Sequence, residues 1–85
     1  MVYEVRLKPS AERELRRLPR EVATRIAEAV AALGGDPRPR GVKKLVGSAT
    51  AYRIRIGDYR AIYDVFEGML VVVVVTIAHR REVYR

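Results

Sequence analysis

The segment YRIRIGDYRAIY, residues 52–63, carries three arginines, Arg53, Arg55 and Arg60, around a Gly57-Asp58 pair. Guanidinium groups gathered on one surface do one kind of chemistry well: the planar fork grips a phosphate through two hydrogen bonds at once. Gathering them requires a particular local fold. Glycine first in a two-residue gap between β-forming runs predicts a type II′ hairpin turn. That register pairs Ile56 with Tyr59, Arg55 with Arg60, Ile54 with Ala61, Arg53 with Ile62 and Tyr52 with Tyr63. Strand alternation then sends Tyr52, Ile54, Ile56, Tyr59, Ala61 and Tyr63 to a core face, and all three arginines to the other. Arg55 and Arg60 would have Cβ atoms about 5 Å apart, with Arg53 about 6.6 Å further along. Asp64 shares the parity of Arg60 and is a candidate partner for it. The alternative to an anion pocket is that the three long side chains fan out into solvent.

The end of the chain extends the cluster. A second two-residue turn at Glu67-Gly68 would pair Phe66 with Met69 and Arg60 with Val75, so the segment after Ile77 emerges close to Arg60. His79, Arg80, Arg81 and Tyr84 become candidates at the same pocket. Upstream, Arg38, Arg40, Lys43 and Lys44 form a second basic group, suited to sequence-independent contacts with a nucleic-acid backbone. From Arg38 to Arg60 there are seven basic residues and one acid, a local balance of +6 in a chain whose net charge is +7. Such a balance favours polyanionic partners. The helix arginines Arg13, Arg16, Arg17, Arg20 and Arg25 are interleaved with Glu12, Glu14, Glu21 and Glu28, which reads as a solvated helix surface.

Eighty-five residues suffice for a single domain over 1–85 with one modest core. With no cysteine, neither a disulfide nor a thiolate metal site is open to it. No cofactor or metal is expected. The longest apolar run, Met69 to Ala78, is shorter than the roughly 20 residues of a membrane-spanning helix, and no signal peptide opens the chain, so a cytoplasmic location is expected.

These elements must position the arginines. VYEVRL, residues 2–7, predicts an opening strand. Ser10 is a candidate N-cap for a short helix with Ala11, Leu15 and Leu18 on one face. Pro19 is placed to be the first residue of a second helix, whose stripe is Val22, Ile26, Ala29, Val30 and Leu33. Gly34 and Gly35 are candidates for the left-handed closing residues. DPRPRG, 36–41, is a stiff loop, and VKKLVGS has room for a brief strand. Three strands follow, and the five consecutive valines predict cover on both faces for part of the last. The tail HRREVYR is a candidate for a final short strand. The fold expected is α+β: an N-terminal strand and helical hairpin packed against a twisted antiparallel β-sheet.

The blocks YRIRIGDYRAIY and IAHRREVY, with KKLVG before them, resemble the RelE/ParE superfamily of toxins from type II toxin–antitoxin systems, and the RelE branch in particular. The resemblance covers essentially the whole chain. It implies an mRNA endoribonuclease that enters the ribosomal A site, cuts mRNA without metal by attack of the RNA's own 2′-OH, and so inhibits translation. It implies a cognate antitoxin partner, in a heterotetramer in some members. It carries the family's catalytic basic pair onto Arg53 and Arg55, its phosphate-binding arginine onto Arg60, its later arginine onto Arg80 and its near-terminal tyrosine onto Tyr84. Well-known members have lysines where Arg53 and Arg55 stand here. Arginine does not give up its proton, so charge stabilisation is the role this pair can fill. Tyr84 is a candidate base or stacking platform, and His79 a candidate general acid. The competing expectations are a ParE-like inhibitor of DNA gyrase, and a non-catalytic RNA-binding or degenerate toxin.

Overall fold

The computed structural model describes residues 2–79. The chain runs β1 (Glu4–Leu7), α1 (Pro9–Arg17), α2 (Arg20–Ala32), β2 (Lys43–Lys44), β3 (Ala51–Ile56), β4 (Tyr59–Phe66) and β5 (Val71–His79). The strands form one sheet in the order β1-β5-β4-β3-β2. β2 to β5 are joined by antiparallel pairings, while β1 adds to the far side of β5 in parallel, Glu4 opposite Val71 and Leu7 opposite Val74. The sheet is therefore mixed, with the expected antiparallel half extended by a parallel first strand. β5 is interior to the sheet, between β1 and β4, and its Val71, Val72, Val74 and Ile77 are buried.

The helical hairpin covers one face. Ala11 from α1 and Ile26, Val30 and Leu33 from the second helix and its C-cap pack with Ile56, Ala61, Tyr63, Val65, Val72, Val74 and Ile77. Fully burying each such aliphatic side chain contributes roughly 1.5–3 kcal/mol, so this layer is the main source of stability. The opposite face of the sheet carries no helix among the described residues, and it is the face on which the arginines stand.

Local details differ from the sequence expectation in instructive ways. α1 starts at Pro9, with Lys8 at the N-cap. Ser10 is inside the helix and donates from Oγ to the Val75 carbonyl at 3.2 Å. It ties α1 to β5 instead of capping. α2 begins at Arg20 with Pro19 as its N-cap. Gly34 and Gly35 are not left-handed; the left-handed glycines among the described residues are Gly41, Gly47 and Gly57. Gly34 is needed for closeness instead, since a Cβ there would sit 3.0 Å from the Tyr3 carbonyl oxygen. That contact follows from Tyr3 N–H donating to the Gly34 carbonyl at 2.7 Å, which clips the end of the helical hairpin to the start of β1.

The β4–β5 connection is the main correction. Glu67 to Leu70 form a four-residue turn, and Phe66 pairs with Val71. Farther along, a bulge shifts the register between Ile62 and Tyr63, so Arg60 pairs with Ala78 rather than with Val75. A shift of two residues leaves every side chain on its own face, but the single extra residue at the bulge exchanges the faces of all that follows. Ile77 is thereby turned into the core, and His79 follows it.

Candidate functional site

The β3–β4 hairpin has the expected register in full, from Ile56 opposite Tyr59 to Tyr52 opposite Tyr63. Gly57 has φ of +61°, and Asp58 is not among the residues with positive φ. That combination of signs fits a type II′ turn. Arg55 and Arg60 are consequently direct cross-strand partners on the open face, and Arg53 stands one pleat away on the same face. On the far side of Arg53, Lys43 is its partner from β2. Gly41, Lys43, Arg53, Arg55 and Arg60 line one cleft of about 320 Å³. The backbone arithmetic gives a patch of four cations in two rows. Lys43 and Arg53 form one, Arg55 and Arg60 the other, with rows about 6.6 Å apart and strands about 4.8 Å apart.

The cations are not equivalent. Arg60 is 8% exposed, forming the floor of the cleft, whereas Arg55 is exposed at its rim. Arg55 Nε donates to the Gly57 carbonyl at 3.2 Å, which fixes its head beside the turn. Ala78, opposite Arg60, is small enough to leave the guanidinium its space. Gly41, with φ of +91°, lines the cleft without a side chain. Asp64 lies two pleats from Arg60 along β4, about 13 Å away, and accepts from Thr50 Oγ1 at 2.8 Å, so it serves the β3 end instead of neutralising Arg60. Like charges this close repel, at about 1 kcal/mol per pair in water-like surroundings and more where solvent is excluded. A bound phosphate converts that repulsion into attraction. Among the described residues no three His, Asp or Glu side chains converge to hold a metal ion.

The second basic group divides. Lys43 belongs to the cleft. Lys44, opposite Tyr52, is on the other face. Arg40 is exposed on the loop before β2. Arg38 is a structural clamp: its guanidinium lies 5.3 Å from the Tyr52 ring centre, donates from Nε to Tyr52 Oη at 3.0 Å, and forms an ion pair with Glu67. The bond to Tyr52 holds the Arg38 guanidinium even more firmly protonated than usual. Beneath it, fully buried Tyr63 donates from Oη to the Pro37 carbonyl at 2.7 Å, and burial pushes its hydroxyl up to about 12. Loop 36–41, which delivers Gly41 and Lys43 to the cleft, is thus fastened to the sheet by two tyrosines and an arginine.

His79 does not join the arginines. It faces the same side as Tyr59 and packs edge-on against that ring, with centroids 5.4 Å apart. The bulge is the physical reason. Without it, His79 would share the face of Arg60, as the sequence register required. Arg80, Arg81 and Tyr84 lie outside the described residues, as does the final strand expected there. Lys43 was expected in the second basic group, for backbone contacts, and the structure places it with the arginines instead; Gly41 is the cleft residue that no sequence motif marked. Lys43 was legible in principle, because pairing a brief KK strand with YR selects which lysine shares the face of Arg53. On the helices, Arg16 pairs with Glu12 and Arg17 with Glu14, both at 3.2 Å on exposed surface, as a solvated face requires.

Residues 5–84 match the family described as the ParE toxin of type II toxin–antitoxin systems. The chain is 30% identical over 86 residues to toxin RelG of Mycobacterium tuberculosis, covering 100% of this chain and 99% of the relative. The toxin in the archaeal RelE–RelB complex from Pyrococcus horikoshii superposes with a TM-score of 0.84 at 33% identity, covering 94% of this chain and 97% of that one. A mutant of Escherichia coli toxin RelE in its free state gives a TM-score of 0.81 at 27% identity, covering 99% of this chain and 92% of that one.

Proposed function

Since the chain belongs to the RelE/ParE family of type II toxin–antitoxin toxins, with RelE toxins among its relatives, we propose that it is a ribosome-dependent mRNA endoribonuclease that inhibits translation and is neutralised by a cognate antitoxin. The observation that carries the reading is the cleft in which Arg53, Arg55, Arg60 and Lys43 surround one space, on a sheet face that carries no helix among the described residues. Its dimensions and charge suit a bent RNA backbone with one phosphate at the buried Arg60.

RNA supplies its own nucleophile. The 2′-OH attacks the neighbouring phosphorus, the negative phosphorane forms, and the P–O5′ bond breaks. The protein's task is to hold the backbone in line and to stabilise added charge, and preorganised cations do this best where water is excluded. Arg60 on the floor and Arg53 and Arg55 beside it are assigned to the non-bridging oxygens. By resemblance, Arg80 and Tyr84 would complete the site as a further cation and a base or stacking platform. The exposed Arg40 and Lys44 are assigned to ribosomal RNA backbone. Antitoxin recognition rests on the relatives, since the Pyrococcus horikoshii toxin was solved with RelB. A heterotetramer is the expected assembly.

The matched family bears the ParE name, which favours gyrase inhibition as the second reading. One experiment separates the two. The purified protein is added to a translation reaction programmed with a defined mRNA, and in parallel to a gyrase supercoiling reaction. Cuts in mRNA that appear only with ribosomes present support the ribonuclease. Intact mRNA with supercoiling arrested supports the gyrase inhibitor.

A further inference from the structure

We propose that Lys43 is the proton donor to the leaving 5′ oxygen in this cleft, an inference that rests on the ribonuclease reading. Among the described residues four cations line the space, and three are guanidinium groups, which hold their protons too tightly to deliver one. Breaking P–O5′ without a proton would release an alkoxide, a poor leaving group. Lys43 is the one ammonium on the cleft wall among the described residues.

Its position suits the part. β2 is a two-residue edge strand, and Lys43 is its residue on the cleft face, directly across from Arg53. The side chain is exposed, so it reaches solvent for reprotonation. Arg60 is on the opposite side of the cleft and deeper, 8% exposed. In the strand order β4-β3-β2, a phosphate seated on Arg60 and Arg55 has Lys43 on its β2 side, and the proposal places the leaving 5′ oxygen there. No carboxylate among the described residues pairs with Lys43, so its protons are not committed to an ion pair. The clamp of Arg38 and Tyr63 on loop 36–41 holds the strand that carries it.

The step balances as follows. The 2′ oxygen forms a bond to phosphorus and loses its proton to water, directly or through a protein base. The P–O5′ bond breaks, with its electron pair going to O5′, while Lys43 Nζ transfers one proton to that oxygen. The products are a 2′,3′-cyclic phosphate and a free 5′-hydroxyl. The lysine amine then takes a proton back from water, so no net proton is consumed.

The test uses full-length protein on ribosomes programmed with a short synthetic mRNA. The cut bond, first mapped with wild-type protein, is then made with sulfur in place of the bridging 5′ oxygen. Thiolate leaves without protonation. Lys43→Arg keeps the charge and removes the transferable proton. The expected result is a loss of about a hundredfold or more in single-turnover rate on the oxygen substrate, with cleavage of the sulfur substrate within about threefold of wild type. Lys43→Arg that cuts the oxygen substrate at the wild-type rate overturns the proposal and leaves the ribonuclease reading standing. Equal losses on both substrates also overturn it, assigning Lys43 to phosphate positioning. Wild-type protein that leaves the oxygen substrate intact on ribosomes removes the ribonuclease reading and this proposal together.

Discussion

Arg55 and Arg60 are direct partners across the β3–β4 hairpin on the open face of the sheet, yet Arg60 is 8% exposed and Arg55 is exposed. Two like charges held opposite each other weaken a strand pair. In the proposed function an anion joins this pair, with the buried cation setting its position and the exposed one completing its coordination.

The turn that creates this pair depends on Gly57, whose φ is +61°. Gly57→Ala puts a side chain in the left-handed region, at a cost of about 1–2 kcal/mol. The new Cβ would be 3.7 Å from Arg25 Nη1, an ordinary contact, so strain and not collision sets the loss. Urea unfolding should show a lower midpoint with an unchanged slope. An unchanged midpoint would mean that the turn relaxes without strain.

Tyr63→Phe removes the donor to the Pro37 carbonyl. Leaving a buried acceptor unsatisfied should cost about 1–3 kcal/mol. The pH dependence follows from the same burial. The hydroxyl titrates at about 12 in the folded protein against 10.0 ordinarily. Because the folded value is raised, the contribution is complete below about pH 10 and is lost as pH climbs from 10 toward 12. Wild type should lose about 2–3 kcal/mol through that window from this group, and Tyr63→Phe should lack that component. Parallel denaturant curves from pH 9 to 11.5 measure the difference, and identical slopes with pH would contradict the burial of this hydroxyl.

Binding of single-stranded RNA lacking a reactive 2′-OH should weaken with salt. Each phosphate contact adds about 0.7 to the slope of log affinity against log salt. Arg53→Ala should therefore flatten the slope by about 0.7. Arg16→Ala should leave it unchanged, since Arg16 is on the helix surface, paired with Glu12. Equal slopes for wild type and Arg53→Ala would place the RNA elsewhere.

Much of this site is written in local sequence. A Gly-Asp turn between two alternating strands is short-range information, so the β3–β4 register and the shared face of Arg53, Arg55 and Arg60 could be read directly. The valine strand is different. VVVVV has no alternation to mark its faces, and neither the four-residue turn at Glu67–Leu70 nor the bulge has a sequence signature strong enough to override a Glu-Gly reading. Leu70 takes φ of +54° where glycine was the natural choice, and Gly68 is not left-handed. The error then propagated to His79. Ser10 illustrates the same limit: a serine after Lys-Pro has the chemistry of a cap, but a tertiary acceptor, the Val75 carbonyl, claims its hydroxyl. The parallel docking of β1 on β5 joins residues far apart in sequence, and no local pattern announces it.

The claim at the centre is that the buried guanidinium of Arg60 holds the phosphate being cut. The direct measurement is the single-turnover rate of mRNA cleavage on programmed ribosomes for Arg60→Ala beside wild type, with the unfolding midpoint of each protein recorded. A rate reduced by about a hundredfold or more, in a variant that remains folded at the assay temperature, is the predicted result. A folded Arg60→Ala protein that cuts at the wild-type rate would contradict the account.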